Sequence, residues 1–257
     1  MGNLTDRTAL VTGASRGIGR AIATRLAAEG ALVAVHYGSN QSAADETVAA
    51  IRDAGGQAFA VRAELGVPGD VDTLFDGLAA GLDGRPLDIL VNNAATIAYA
   101  ATIDTATPDD FDRQFAINVR APFFITQRAL GVMRDGGRII NVSSGVTWFA
   151  TPETVYAMTK GALNVLGRSL AQQLGPRGIT VNTVSPGITA TEMNTWLDTE
   201  PERARQVYAM VALGRAGQPA DIGDAVAFFA SDDARWITGE TVEVNGGLLL
   251  GPPRPTN

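Results

Sequence analysis

Thr8-Ala9-Leu10-Val11-Thr12-Gly13-Ala14-Ser15-Arg16-Gly17-Ile18-Gly19 decides the fold. Its first half is a short apolar run without alternation, as in a strand covered on both faces. Its second half sets Gly13, Gly17 and Gly19 ahead of a segment, 17–28, where Ile18, Ile22 and Leu26 recur at helical spacing. Strand, glycine-bearing turn and helix, in that order, make the first unit of a parallel α/β sheet. Glycines there let the backbone turn tightly and approach a pyrophosphate, while the free N–H groups of the helix start attract the anion. Close packing of helix on strand is the other use of such glycines; the strand before and the helix after favour the dinucleotide reading.

The same alternation continues along the chain. Strands are expected at 31–35, 57–62, 87–91, 138–142, 179–184 and 241–244, and helices at 42–53, 67–82, 108–115, 121–133, 154–174 and 220–230. Between 187 and 212 the rhythm loosens, with a short helix at 192–197. The pattern predicts one α/β domain, 1–250: a doubly wound sheet of seven parallel strands with helices on both faces. The proline-rich end, 251–257, is expected to be a flexible tail. Ligands of such sheets sit beyond the carboxyl ends of the strands, where strand order reverses.

Composition narrows the partners. Twenty-seven acidic against 20 basic residues leave a net charge of −7. This is the wrong sign for nucleic acid or for an anionic membrane surface. The absence of cysteine removes disulfides and thiolate chemistry and permits a reducing compartment, so a cytoplasmic protein is expected. No run approaches 18 apolar residues, and the N-terminus lacks a signal-peptide pattern. A charged fraction of 18% is below the roughly 25% usual for soluble chains, a hint that other subunits cover some surface.

The second strand ends in His36-Tyr37-Gly38-Ser39-Asn40, with no acid to accept bonds from an adenosine ribose and repel a 2′-phosphate. NADP(H) is therefore favoured over NAD(H), with Arg16 as its fixed charge and Ser39 and Asn40 as donors. Tyr156 and Lys160, four apart, project from one face of a helix. Ser143-Ser144 ends a strand, Asn118 follows another, and all are expected at the same sheet edge. A lysine ammonium and an oxidised nicotinamide would each pull a tyrosine pKa down toward a useful range. The single His36 leaves no histidine triad or histidine metal site, and a place beside the adenosine suits it better.

Thr12-Gly-Ala-Ser-Arg-Gly-Ile-Gly19, Asn92-Asn93-Ala94-Ala95, Asn118, Ser144, Tyr156-x-x-x-Lys160, Ser185-Pro186-Gly187 and Thr191 together resemble the short-chain dehydrogenase/reductase family. Leu213–Pro219 and Ile237–Gly247 extend the likeness to its 3-oxoacyl-carrier-protein reductase-like branch. The resemblance implies a Rossmann-type NADPH-dependent ketone reductase with Tyr156 as general acid/base. Lys160 would hold the nicotinamide ribose, Ser144 the substrate carbonyl, and Asn118 a proton-relaying water. Gly13, Ser15, Arg16, Gly17, Ile18, Gly19, Glu64, Leu65, Asn93, Ala94, Tyr156, Lys160, Pro186, Gly187, Thr189 and Thr191 would line the cofactor. The resemblance also implies a homotetramer built through 118–133 and 154–174, with Gly161, Ala162 and Ala171 allowing close approach.

Some positions depart from the family pattern. Ala95 stands where glycine is usual, and Glu64 where aspartate is usual. The interval from Ser144 to Tyr156 is one residue short, which leaves Ser143 open as the substrate-contacting serine. Trp148, Phe149, Met193 and Trp196 suggest an apolar substrate pocket, packing on a neighbouring element being the alternative. The resemblance implies a small-molecule ketone as substrate, free or as a 3-oxoacyl thioester. A non-catalytic NADP-binding regulator is the reading from another class.

Overall fold

A computed structural model describes residues 4–99 and 101–251. Residues 252–257, which hold nearly all of the expected tail, lie outside the described residues. The chain alternates β1 (Thr8–Val11), α1 (Gly17–Ala28), β2 (Leu32–Tyr37), α2 (Gln41–Asp53), β3 (Gln57–Arg62), α3 (Asp70–Leu82) and β4 (Leu87–Asn92). It continues with α4 (Pro108–Phe115), a π-helical turn at Ala116–Arg120, α5 (Ala121–Ala129), β5 (Met133–Val142), α6 (Thr154–Leu174) and β6 (Thr180–Pro186). The last part carries α7 (Trp196–Thr199), α8 (Pro201–Ala209), α9 (Pro219–Ala230) and β7 (Thr241–Val244).

Among the described residues the sheet has seven parallel strands in the order β3-β2-β1-β4-β5-β6-β7. β1, β2, β4 and β6 are buried along their whole length, which is why their sequences run apolar without alternating. β3 is an edge strand, and it alternates exposed Gln57, Ala60 and Arg62 with buried Ala58 and Val61. One core cluster joins the sheet to α1, α2 and α9, and a second joins it to α3, α5 and α6. Strand order reverses between β1 and β4, paired Val11 to Val91, and this opens the crevice at their carboxyl ends.

Boundaries differ most from the sequence reading in three places. α3 starts at Asp70 rather than 67: the preceding turn ends at Gly69, whose φ of +80° is left-handed, and the Asp70 carboxylate holds that turn by accepting the Gly66 and Val71 N–H groups. α5 stops at Ala129, and β5 begins at Met133, where its pairing with β4 skips from Leu87–Met133 to Ile89–Arg138. The excursion between those pairs turns at Gly136, whose φ of +77° suits glycine. The stretch 192–197 is a 3₁₀ turn, Glu192–Asn194, running into α7, and α8 was not anticipated.

Candidate active site

The floor of the crevice is the glycine turn. Gly13 and Gly17 have φ of +64° and +53°, and a Cβ on Gly19 would fall 2.1 Å from the Gly13 carbonyl. The start of α1 has no side-chain cap and no acidic residue in its first turn, so its N–H groups stay available to an anion. Asn93, at the end of β4, clamps the turn: its amide donates to the carbonyls of Thr12 (2.8 Å) and Gly13 (3.2 Å). The Thr12 hydroxyl accepts the N–H groups of Asn93 and Ala94. Ser15 is held from above by Thr47, which donates to its carbonyl at 3.1 Å.

Other residues expected at the cofactor surround this turn. Arg16 and Ser39 are exposed, and Ile18 is half-buried. Asn40 caps α2 by accepting the Ala43 N–H, so only its amide NH₂ can serve as a donor. Beyond β3, Leu65 is buried and the Glu64 side chain is exposed. On the far wall Pro186 ends β6, and Gly187 donates to the Val244 carbonyl. A Cβ on Gly187 would meet Asn245 at 2.7 Å. Thr189 is buried and donates to the Gly187 carbonyl. Thr191 closes over the turn, with its methyl 3.5 Å from where a Gly17 Cβ would stand.

The catalytic candidates meet on β5 and α6. Ser143 turns inward and donates to the Lys160 carbonyl at 3.0 Å. Ser144 is the serine whose hydroxyl lies near the Tyr156 phenol, and it accepts the Val146 N–H at 3.4 Å. Lys160 is 2% exposed, and its ammonium donates to the Val142 carbonyl at 2.8 Å. It stands 5.6 Å from the centre of the Tyr156 ring. Burial pushes the Lys160 pKa down to about 8. Burial likewise pushes Tyr156 above its ordinary value; the Ser144 hydroxyl opposes the rise, and the nearby Tyr99 phenol adds to it. The lowered tyrosine expected from the sequence does not hold in the free protein, because burial dominates and Lys160 is bound to Val142.

Asn118 sits in the π-helical turn, where a widened backbone often marks a functional position. Its amide is committed, accepting the Thr96 N–H at 2.8 Å and donating to the Thr96 carbonyl and the Thr159 hydroxyl. Thr159 donates in turn to the Tyr156 carbonyl, so Asn118 braces the turn of α6 that carries Tyr156 and Lys160. The Asn118 main-chain carbonyl has no i+4 N–H donor, because residue 122 is proline.

The expected pocket aromatics divide. Met193 is exposed at the cleft, and its carbonyl accepts the Tyr99 phenol at 2.7 Å. Phe149 is half-buried in the loop before α6. Trp148 is not in the cleft. The 3₁₀ turn Gly145–Thr147 swings it outward, 71% exposed, on the side of Glu243. There it borders a groove of about 840 Å³ with Arg168 and Glu240. Trp196 packs under Arg203, 4.3 Å from the ring centre, and in the small cluster of Leu197, Ala204 and Ala216. Tyr99 was missed by the sequence reading, as were the braces Thr12, Thr96 and Thr159. Polar residues of this kind leave no periodic signal.

The family profile described as enoyl-(acyl-carrier-protein) reductase matches residues 13–249. Among solved structures, a promiscuous reductase that catalyses keto-reduction at C1 during lugdunomycin biosynthesis is 53% identical. It superposes with a TM-score of 0.93 over 96% of this chain and 99% of its own. The angucycline C-6 ketoreductase LanV with bound NADP is 54% identical, with a TM-score of 0.92 over 97% of this chain and 98% of its own. It has also been solved with NADP and rabelomycin. Versicolorin reductase of Emericella nidulans is 38% identical across 96% of this chain and 97% of that protein. With a profile spanning nearly the whole sequence and relatives of this likeness along its full length, the chain belongs to the short-chain dehydrogenase/reductase family of oxidoreductases.

Proposed function

We propose that the protein is an NADPH-dependent ketoreductase acting on a ring ketone of a polycyclic aromatic molecule. The observation that carries the chemistry is the set where β5 ends against α6, in which the Ser144 hydroxyl lies close enough to the buried Tyr156 phenol to act on it and Lys160 stands beside the Tyr156 ring. The substrate class follows the relatives, whose names place them on lugdunomycin, angucyclines and versicolorin.

The glycine turn fits the cofactor, since Gly19 has no room for a side chain and the start of α1 is uncapped. Gly13, Ser15, Arg16, Gly17, Ile18, Gly19, Ser39 and Asn40 would hold its adenosine and phosphates, with Glu64 and Leu65 beside the adenine. Asn93, Ala94, Pro186, Gly187, Thr189 and Thr191 would hold its nicotinamide half. When bound, NADPH supplies the hydride and, once oxidised, a positive ring. Tyr156 and Ser144 would both donate to the carbonyl oxygen as it gains negative charge, Tyr156 giving up its proton. Burial keeps the phenol protonated at rest, which loads it as an acid for reduction. Lys160, its pKa near 8, still carries its proton at neutral pH and would restore the one lost by Tyr156, with the Asn118 carbonyl holding a relaying water.

Arg120, Arg128 and Arg168 are where an acidic acyl carrier would dock. Arg120 and Arg128 share a groove with Asp70 and Asp72, and Arg168 shares one with Glu240, so none forms a basic patch. A free small molecule is accordingly preferred to a carrier-borne thioester. The homotetramer remains our reading of the assembly, in a cytoplasmic setting. Exposed Phe123 and Phe124 on α5 and Met158 and Val165 on α6 support it, and Gly161 faces open space. Ala171 does not join that face, because it is packed in the core. Among the described residues no helix is long and apolar enough to cross a membrane. The test is NADPH consumption with rabelomycin and with a 3-oxoacyl thioester. Turnover of rabelomycin alone is expected; turnover of the thioester alone would reverse the substrate assignment.

A further inference from the structure

The single histidine takes no part in the proton transfer, yet it is one of the most constrained side chains in the molecule. His36 lies in β2 and is 2% exposed. Its Nδ1 accepts the Gly13 N–H at 2.9 Å. A ring nitrogen that accepts from a main-chain amide carries no proton, so the proton sits on Nε2, which donates to the Ala63 carbonyl at 3.0 Å. The His36 carbonyl accepts the Ala14 N–H at 2.8 Å, and Ala63 returns its own N–H to Tyr37. One residue thereby fastens Gly13 and Ala14 on one side and Ala63 on the other. Burial holds the imidazole pKa down at about 4, the bond to Ala63 opposing it, so the neutral tautomer persists at working pH.

Those two fastened segments are the walls between which the adenosine end of the cofactor would lie. The turn has little slack elsewhere, since a Cβ on Gly13 would already meet the Ala94 main chain at 2.9 Å. We infer that His36 is a positioning residue for the cofactor: its imidazole sets the spacing between the glycine turn and the segment after β3, and so sets the affinity for the adenosine end of NADPH. The inference rests on the turn being the NADPH site. Removing the ring leaves a buried N–H and a buried carbonyl unpaired, and both then draw water or shift the turn.

The test uses the full chain with NADPH, 2′,5′-ADP for the adenosine half and reduced nicotinamide mononucleotide for the other half. His36→Leu is expected to weaken NADPH and 2′,5′-ADP by about tenfold, and to change the mononucleotide by less than about twofold. His36→Asn keeps an acceptor where Nδ1 stood and should recover most of the loss. His36→Gln keeps only a donor near Nε2 and should recover less. Unchanged 2′,5′-ADP binding in His36→Leu overturns the inference, as does equal weakening of the mononucleotide. If the leucine variant does not fold, the Asn and Gln pair decides: Gln binding 2′,5′-ADP as tightly as Asn overturns it. Wild-type protein that binds neither NADPH nor 2′,5′-ADP takes down the cofactor reading as well.

Discussion

The floor of the site and the segment that overhangs it are built on different foundations. Ser144, Tyr156 and Lys160 stand on β5 and α6, which contribute Ile139, Ile140, Val142, Ala171 and Leu174 to the two large core clusters. The overhang, 187–217, has a small core of its own, Leu197, Ala204 and Ala216, ringed by Ile188, Ala190, Trp196 and Tyr208. It is tied to the rest by the Tyr99 phenol at Met193, by Gly187 at Val244, and by main-chain pairing of 210–213 with 246–249. On our proposal, the groups that would handle the proton are fixed by the fold as a whole, while the wall that would face the substrate can be re-shaped at little cost to stability.

The largest effect expected is on the floor. Tyr156→Phe should lower kcat by about 10²–10⁴-fold while NADPH titration stays unchanged. Retained turnover would mean that the proton comes from elsewhere and would erase the distinction between the two regions.

Next in size is a signature of burial that the overhang lacks. An unfolded chain keeps a lysine proton up to about 10.5, whereas folded Lys160 releases it near 8. Between those values the unfolded state binds more protons, so stability rises with pH, by on the order of 1–3 kcal/mol in all. Above pH 10 Tyr156 reverses the slope, because the folded chain retains a phenolic proton that the unfolded chain has lost. Urea unfolding of the free protein at increasing pH should show the rise, and Lys160→Met should abolish it.

A smaller effect is expected at the rim of the turn. Arg16→Ala should weaken NADPH by about tenfold and leave NADH unchanged, read by fluorescence titration. Equal loss of both would place Arg16 on the shared pyrophosphate instead. Smallest is Leu197→Ala, which should raise KM for a polycyclic ketone about threefold with kcat nearly constant. A fall in kcat to match would bind the overhang to the chemistry.

The same contrast governs what could be read from the sequence. Helical spacing from Ile18 to Leu26 and the unalternating strands are imposed by burial, so the sheet, its helices and the glycine turn were legible. Tyr156 and Lys160 share one helix face, a common pattern on its own; Ser144, Asn118 and the family resemblance singled them out. Ser143 against Ser144 was not legible, since adjacent residues on a strand end differ only in which side they face; the bond from Ser143 to the Lys160 carbonyl favours Ser144. Trp148 was misplaced because nothing in its neighbours reports the outward swing at Gly145–Thr147. The helix α8 had a usable signal in Pro201 at its first position, masked by the charged run that follows.

Amide hydrogen exchange of the free protein tests the two-foundation account most directly. The account predicts that 201–209 exchanges through local opening, far faster than 154–174, which exchanges only on global unfolding. Exchange of both segments in one step, with the same protection, would contradict it.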